Sequence, residues 1–212
     1  AAPERVIVHL DPDTAMSPGT WEAALRAAGA AVLATDLVVA GQAENAFCSV
    51  RPPGHHATRN RAMGFCFFNN VAVAARHALE RHGLERVAVI DFDVHHGNGT
   101  EDIFEDDERV LMVSTFQHPF YPYSGTERPA PNMVNVPLAA GTGSAGFRDA
   151  VATRWLPALE DFQPEMVFFS AGFTSASCSL SGRAPNVVSC CSRSARAAGS
   201  AAVMRMVMRD GS

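Results

Sequence analysis

One run constrains this chain more than any other. The apolar segment VAVI at 87–90 leads without a break into Asp91-Phe-Asp93-Val-His95-His96-Gly97-Asn98-Gly99. A short run rich in β-branched residues and followed by turn formers predicts a strand buried on both faces. Side chains two apart on a strand point the same way, so Asp91, Asp93 and His95 are expected to converge at its carboxyl end. Open α/β sheets bind their ligands at that end. Carboxylate oxygen and imidazole nitrogen suit a divalent ion such as zinc. An acidic turn after a strand is the plainer reading. Two Asp and two His packed so closely behind a buried run weigh against it. Gly97 and Gly99 allow the backbone to turn tightly around the site.

Similar apolar runs at 6–10 and 166–170, and weaker ones at 110–114 and 133–136, predict further buried strands. Helical patterns lie between them. One covers 18–28, with Ser17 as its N-cap and Gly29 as its stop. An Ala-rich one covers 69–82 and ends before Gly83, and a third covers 145–162. The alternation predicts an α/β fold with a mostly parallel sheet flanked by helices. The composition changes after Phe173. Residues 174–212 are rich in Ser and Arg and carry one acidic residue, Asp210. Their pattern fits a loop and then a helix over 195–208. A poorly ordered tail is an equal expectation, because little apolar surface is on offer against the entropy of ordering. The chain therefore divides into 1–173, the domain, and 174–212, a divergent tail.

Charge and composition narrow the function. The formal net charge of -5 argues against a basic nucleic-acid binder. No apolar run reaches about 18 residues, so no membrane span is expected. The opening AAPERVIVHL has no signal-peptide pattern and reads as a strand already under way. The five cysteines lack CxxC spacing, which favours reduced thiols in a cytoplasmic protein and gives no support to a cysteine zinc site.

Two further segments carry chemistry. Arg51-Pro52-Pro53-Gly54-His55-His56-Ala57 sets paired histidines on a stiff loop. Imidazoles titrate near neutral pH and can act as general base and acid. Alone, such a pair reads more simply as surface histidines, and its weight comes from the aspartate cluster. Gly64-Phe65-Cys66-Phe67-Phe68-Asn69-Asn70 could line an apolar slot, though alone it reads as core.

Together, RPPGHHA, GFCFFNN, DFDVHHGNGT, QHPFYP and SAGF, in that order, resemble the histone deacetylase family within the arginase/deacetylase fold. The resemblance runs from about residue 6 to Phe173. Asn98 and the PFYP stretch are closer to its class II and bacterial branches, which include acetylpolyamine and small-amide deacetylases. The resemblance implies that Asp93 and His95 are two of three zinc ligands. His55 and His56 are implied to be the catalytic pair at the metal-bound water, with Asp91 orienting His55. A structural K+ or Na+ is implied at the Ser114 hydroxyl and the carbonyls of Asp91, Asp93, His95 and Thr115. Phe65 and Tyr121 would wall the acyl-lysine tunnel, the Gly64 backbone would receive the substrate amide, and Asp13 would be a rim carboxylate. The implied substrates are an acetylated lysine peptide, an acetylpolyamine or a small acetylated amide.

The chain also departs from that family. The family follows SAGF with Asp-Ala-His, whose Asp is the third zinc ligand, and here Thr174-Ser175-Ala176 stands instead. Thr174 is a poor zinc ligand by comparison. The family's late catalytic tyrosine has no counterpart, since no Tyr follows Tyr123. So abrupt a break points to a change of reading frame or gene end, and the domain is expected to be truncated at both ends. Three readings follow: an impaired zinc deacetylase, a catalytically inactive deacetylase-like binding protein or fragment, and an arginase-type binuclear manganese hydrolase. The histidine pair and the aromatic segment favour the deacetylase lineage over the third.

Overall fold

The computed structural model describes residues 6–172 and 200–206. At its centre, β4 (Val87–Asp91) is paired in parallel with β5 (Val110–Gln117) on one side and β7 (Met166–Gly172) on the other. β6 (Met133–Leu138) extends the parallel set beyond β5. β8 (Ser200–Met206) runs antiparallel between β7 and β3 (Asn45–Ser49). The sheet order is β3-β8-β7-β4-β5-β6. The α/β class and the mostly parallel sheet are thus as expected from the alternation of runs.

Strand alternation sorts the core into two layers. Val87 and Val89 face one side with Met112, Phe104 and Phe168, under the alanine-rich helices α1 (Thr20–Val39) and α2 (Asn70–His82). Ala88 and Ile90 face the other side with Leu111, Val113 and Trp155. That second layer is roofed by α4 (Ser144–Ala150), the wider turns Val151–Trp155 and α5 (Leu156–Phe162). Small side chains Ala72, Ala74, Ala75 and Ala78 let α2 lie close to the sheet, and every one of them is buried. Asn69 caps α2 by accepting the Ala72 N–H at 3.1 Å, and Gly83 in the left-handed region ends it.

Four local expectations are corrected. Residues 6–10 do not enter the main sheet. β1 (Val8–Asp11) pairs only with β2 (Thr14–Met16), and Val6, Ile7, Val8 and Leu10 are exposed. An apolar run marks a strand but does not choose its partner. The first helix begins after Gly19, not at Ser17, and runs through Gly29 to Val39. Buried Ala31, Ala34 and Val38 continue the apolar stripe beyond the glycine, so tertiary packing overrides its low helix propensity. Residues 200–206 form strand β8 where the pattern predicts a helix over 195–208, because the edge of β7 offers a ladder of backbone partners. The remainder of the tail, with Phe173, Thr174 and the three late cysteines, lies outside the described residues. No helix among the described residues is long and apolar enough to cross a membrane.

Gly29 is exposed inside α1, and a β-carbon there would meet nothing within 4 Å. Gly29→Ala is expected to raise unfolding free energy by about 0.5–1 kcal/mol, read from urea denaturation. Asp107, between α3 (Asn98–Phe104) and β5, accepts both Arg109 Nε and an Arg109 terminal nitrogen at 2.9 Å, and Arg76 at 2.6 Å. The Arg109 hydrogen bonds lead in drawing its carboxyl down to about 2, against the opposing effect of burial. A carboxyl depressed on folding stabilises above its unfolded value near 3.8 and loses that contribution as pH falls towards 2. With its arginine partners partly open to solvent, Asp107→Asn is expected to cost about 1–2 kcal/mol at pH 7. That cost fades between about pH 4 and pH 2, as acid titration of both proteins would show.

Candidate active site

The site lies at the carboxyl ends of β4 and β7, where the 51–57 loop meets the turn after β4. Asp91, last in β4 and level with Ser114 and Ser170, is 1% exposed. A carboxylate so buried requires partners. Its Oδ2 lies 2.9 Å from His55 Nδ1, and its Oδ1 accepts the Asp93 N–H at 3.0 Å. Asp93 in turn accepts the His95 backbone N–H at 2.8 Å, and its Oδ1 lies 2.9 Å from His95 Nδ1. Asp91, Asp93 and His95 do gather, but not by strand alternation. Only Asp91 belongs to the strand, and the other two reach the site through a turn stitched by carboxylate-to-amide hydrogen bonds.

The histidine loop is locked onto that turn. The His55 carbonyl accepts the first amides of α3, Gly99 at 3.0 Å and Thr100 at 3.2 Å. Asn69 donates to the Ala57 carbonyl, and Asn70 donates to the Pro52 carbonyl at 3.1 Å. The two asparagines of the 64–70 segment are therefore clamps for the loop, a role its apolar character hides. Gly97 and Gly99 serve close approach instead of unusual torsion. A β-carbon on Gly97 would fall 2.6 Å from Asp91 Oδ2, and one on Gly99 would fall 2.3 Å from the Ala57 carbonyl oxygen.

The two histidines differ in their electrostatics. Their rings stand 4.0 Å apart and both are buried. Burial works against a charged His55, but the charges of Asp91 and Asp93 and the Asp91 hydrogen bond outweigh it and lift His55 to about 9. Burial and then the neighbouring His55 charge push His56 down to about 2. His56 Nδ1 lies 2.8 Å from Asn98 Oδ1. With that oxygen accepting, Nδ1 carries the proton and Nε2 presents its lone pair. Burial alone would raise Asp93, yet the His55 charge and the bonds from His95 hold it at about 2.

Gly64 lies against His56, for a β-carbon there would come within 2.4 Å of the His56 ring, and its φ is 58°. Phe65 follows at φ 64° and is 61% exposed, an uncommon backbone region for a bulky residue. Asp13 fixes this corner by accepting the Gly64 N–H at 3.1 Å, and Thr14 Oγ1 accepts that of Phe65 at 3.0 Å. Tyr121 stands edge-on to His56 at 5.1 Å. Burial and the nearby carboxylates of Asp13 and Asp11 push its hydroxyl up to about 12. Phe120 stacks on His95 at 5.0 Å and 11°. Sequence reasoning singled out neither Phe120 nor Asn98 as a site residue, although both sit in motifs it recognised. Ser114 and Thr115 are buried on β5 at the same end, with the Ser114 hydroxyl donating to Asn135 Oδ1 at 3.0 Å.

The donor set fits a divalent ion in part. Asp93 Oδ2 faces the end of β7, where a β-carbon on Gly172 would overlap it at 1.6 Å. One carboxylate and one imidazole therefore meet beside the strand that leads to Thr174. No third His, Cys, Asp or Glu joins Asp93 and His95 among the described residues.

Comparison with known proteins identifies the fold and the family. The crystal structure of the HDA15 HD domain superposes with a TM-score of 0.72 at 36% identity, covering 78% of this chain and 51% of that one. Fold and site thus define a deacetylase-type α/β domain. The sequence matches the histone deacetylase domain over residues 2–207, and the chain belongs to that family. It is 46% identical over 171 residues to a histone deacetylase-like amidohydrolase of Pseudomonas aeruginosa, covering 77% of this chain and 45% of the relative. It is also 46% identical to polyamine deacetylase HDAC10 of Rattus norvegicus, covering 75% and 29%. A probable deacetylase of Archaeoglobus fulgidus is 41% identical, covering 77% and 47%. The chain therefore spans about half or less of the length of these relatives.

Gly97→Ala forces a methyl group against the Asp91 carboxylate. It is expected to cost about 1–3 kcal/mol in urea denaturation and to shift the His55 ring resonances, whereas Gly29→Ala leaves those resonances unmoved.

Proposed function

We propose that this chain carries the site for hydrolysing an acetylated amine, in impaired form. The observation that carries the reading is the pair of dyads, His55 with Asp91 and His56 with Asn98, set beside Asp93 and His95. Asp93 and His95 would hold zinc, which when bound polarises an acetamide carbonyl and acidifies water. The Ser114 hydroxyl, with the carbonyls of Asp91, Asp93, His95 and Thr115, would hold K+ or Na+. His56, neutral with a free Nε2, takes the proton of the attacking water. His55, kept protonated by Asp91, supplies positive charge beside the developing oxyanion, and the proton returned by the pair goes to the leaving amine. Phe65 and Tyr121, with Phe120, flank the thin acyl group, the Gly64 backbone receives the substrate amide, and Asp13 stands at the rim. The relatives' names suggest acetyl-lysine in a peptide, an acetylpolyamine or a small acetylated amide as substrates.

The impairment rests on Thr174, which stands where the resemblance expects an aspartate ligand.

Turnover of an acetyl-lysine peptide, with bound zinc measured in parallel, tests this on the chain and on Asp93→Ala and Thr174→Asp. The expected result is weak zinc binding sensitive to Asp93→Ala, little turnover, and a gain in zinc affinity with Thr174→Asp. Strong, hydroxamate-sensitive turnover by the unsubstituted chain would overturn the impairment. Zinc binding that Thr174→Asp leaves unchanged would overturn the role given to that position.

A further inference from the structure

We propose that Asp36, His77 and His82 form a separate site for a divalent transition ion of the zinc class, one that braces α1 against α2. Asp36 lies near the end of α1, and His77 and His82 lie on α2, whose last residue is His82. Both imidazoles aim Nε2 at one atom, Asp36 Oδ1, each at 2.7 Å. Their rings stand 5.0 Å apart at 83°, so the nitrogens approach that oxygen from different directions. The three donor atoms all lie within 4.8 Å of one another. Donors bonded to a tetrahedral zinc at about 2.0–2.2 Å stand about 3.3–3.6 Å apart, so small side-chain rotations that open the two contacts to Asp36 would seat an ion among the three. It is the sole trio of His, Cys, Asp or Glu with this convergence among the described residues.

The setting favours a cation. Asp36 and His82 each lie in the last turn of their helix, the end that carries partial negative charge. The two imidazoles, His77 first, draw the Asp36 carboxyl below its ordinary range, so it is ionised and ready to bind metal. Two nitrogens and one oxygen select zinc, nickel or copper over magnesium and calcium, which prefer all-oxygen shells. Asp36 is about half exposed, which leaves room for water in the remaining position. Three protein ligands from two helices cross-link α1 and α2 where they pack together, so bound ion adds to folding stability by linkage. The site is independent of Asp93 and His95 and does not rest on the deacetylase reading.

The test is nitrogen-15 NMR of the histidine rings of the unsubstituted chain, titrated with ZnCl2 or MgCl2. Zinc is expected to shift the Nε2 resonances of His77 and His82 together, with a rise in Tm, and magnesium to do neither. In parallel, His77→Gln with His82→Gln is expected to remove one equivalent of bound zinc and the associated rise in Tm. Asp93→Ala is expected to leave both in place. Unmoved His77 and His82 resonances at saturating zinc would overturn the proposal, even if the double variant failed to fold. So would zinc uptake by the folded double variant equal to that of the parent.

Discussion

Burying a carboxylate at the end of a central strand costs several kcal/mol unless its oxygens are occupied, and that constraint shapes the ground around Asp91. The required partners come from far along the chain. His55 arrives on a loop 36 residues earlier, and that loop is held by the α3 amides beneath its carbonyl and by the Asn69 and Asn70 side chains. The absence of side chains at Gly97 and Gly99 makes the approach possible. The Asp91–His55 pair therefore joins three features that look unrelated in sequence: a buried parallel strand, a proline-stiffened loop and a glycine-spaced helix start. Removing His55 would leave the Asp91 carboxylate buried without its histidine partner. This reasoning explains why the surroundings are so heavily hydrogen-bonded.

The same pair divides the work of the histidines. Asp91 and Asp93 keep charge on His55, and that charge together with burial keeps His56 neutral. Two adjacent imidazoles on one loop acquire opposite protonation because His55 faces two carboxylates, while burial and the His55 charge keep His56 neutral. Such a split in pKa is the usual mark of acid–base machinery, and here its cause is visible in four side chains.

The end at which a metal is proposed is less complete. Asp93 and His95 are presented in the manner of ligands, and β7 leads toward a third position that Thr174 occupies in the resemblance. Most of what the family resemblance covers is well formed, from the sheet to the loop clamps. The departures that bear on catalysis fall in the segment after Phe173. Within it, β8 shows that at least seven residues follow the demands of the β7 edge and not the helical pattern of their own sequence.

Much of this was legible in the residues themselves. The apolar runs at 87–90, 110–114, 133–136 and 166–170 marked the four parallel strands, because strands buried on both faces carry little besides β-branched and other apolar side chains. Gly83 marked the end of α2, because a glycine stop is local chemistry. Asp91, Asp93 and His95 stood out by residue type and spacing, and His55 and His56 gained weight only from standing in the same chain as that cluster. What the sequence alone could not decide was everything that depends on distant neighbours. The hairpin placement of residues 8–16, the passage of α1 through Gly29 and the strand at 200–206 were settled by packing and by a free sheet edge. Asn98 as the His56 partner, Asn69 and Asn70 as loop clamps, and the meeting of Asp36 with His77 and His82 likewise required the tertiary structure. These contacts join residues tens of positions apart, and local periodicity contains no information about which helix end faces which.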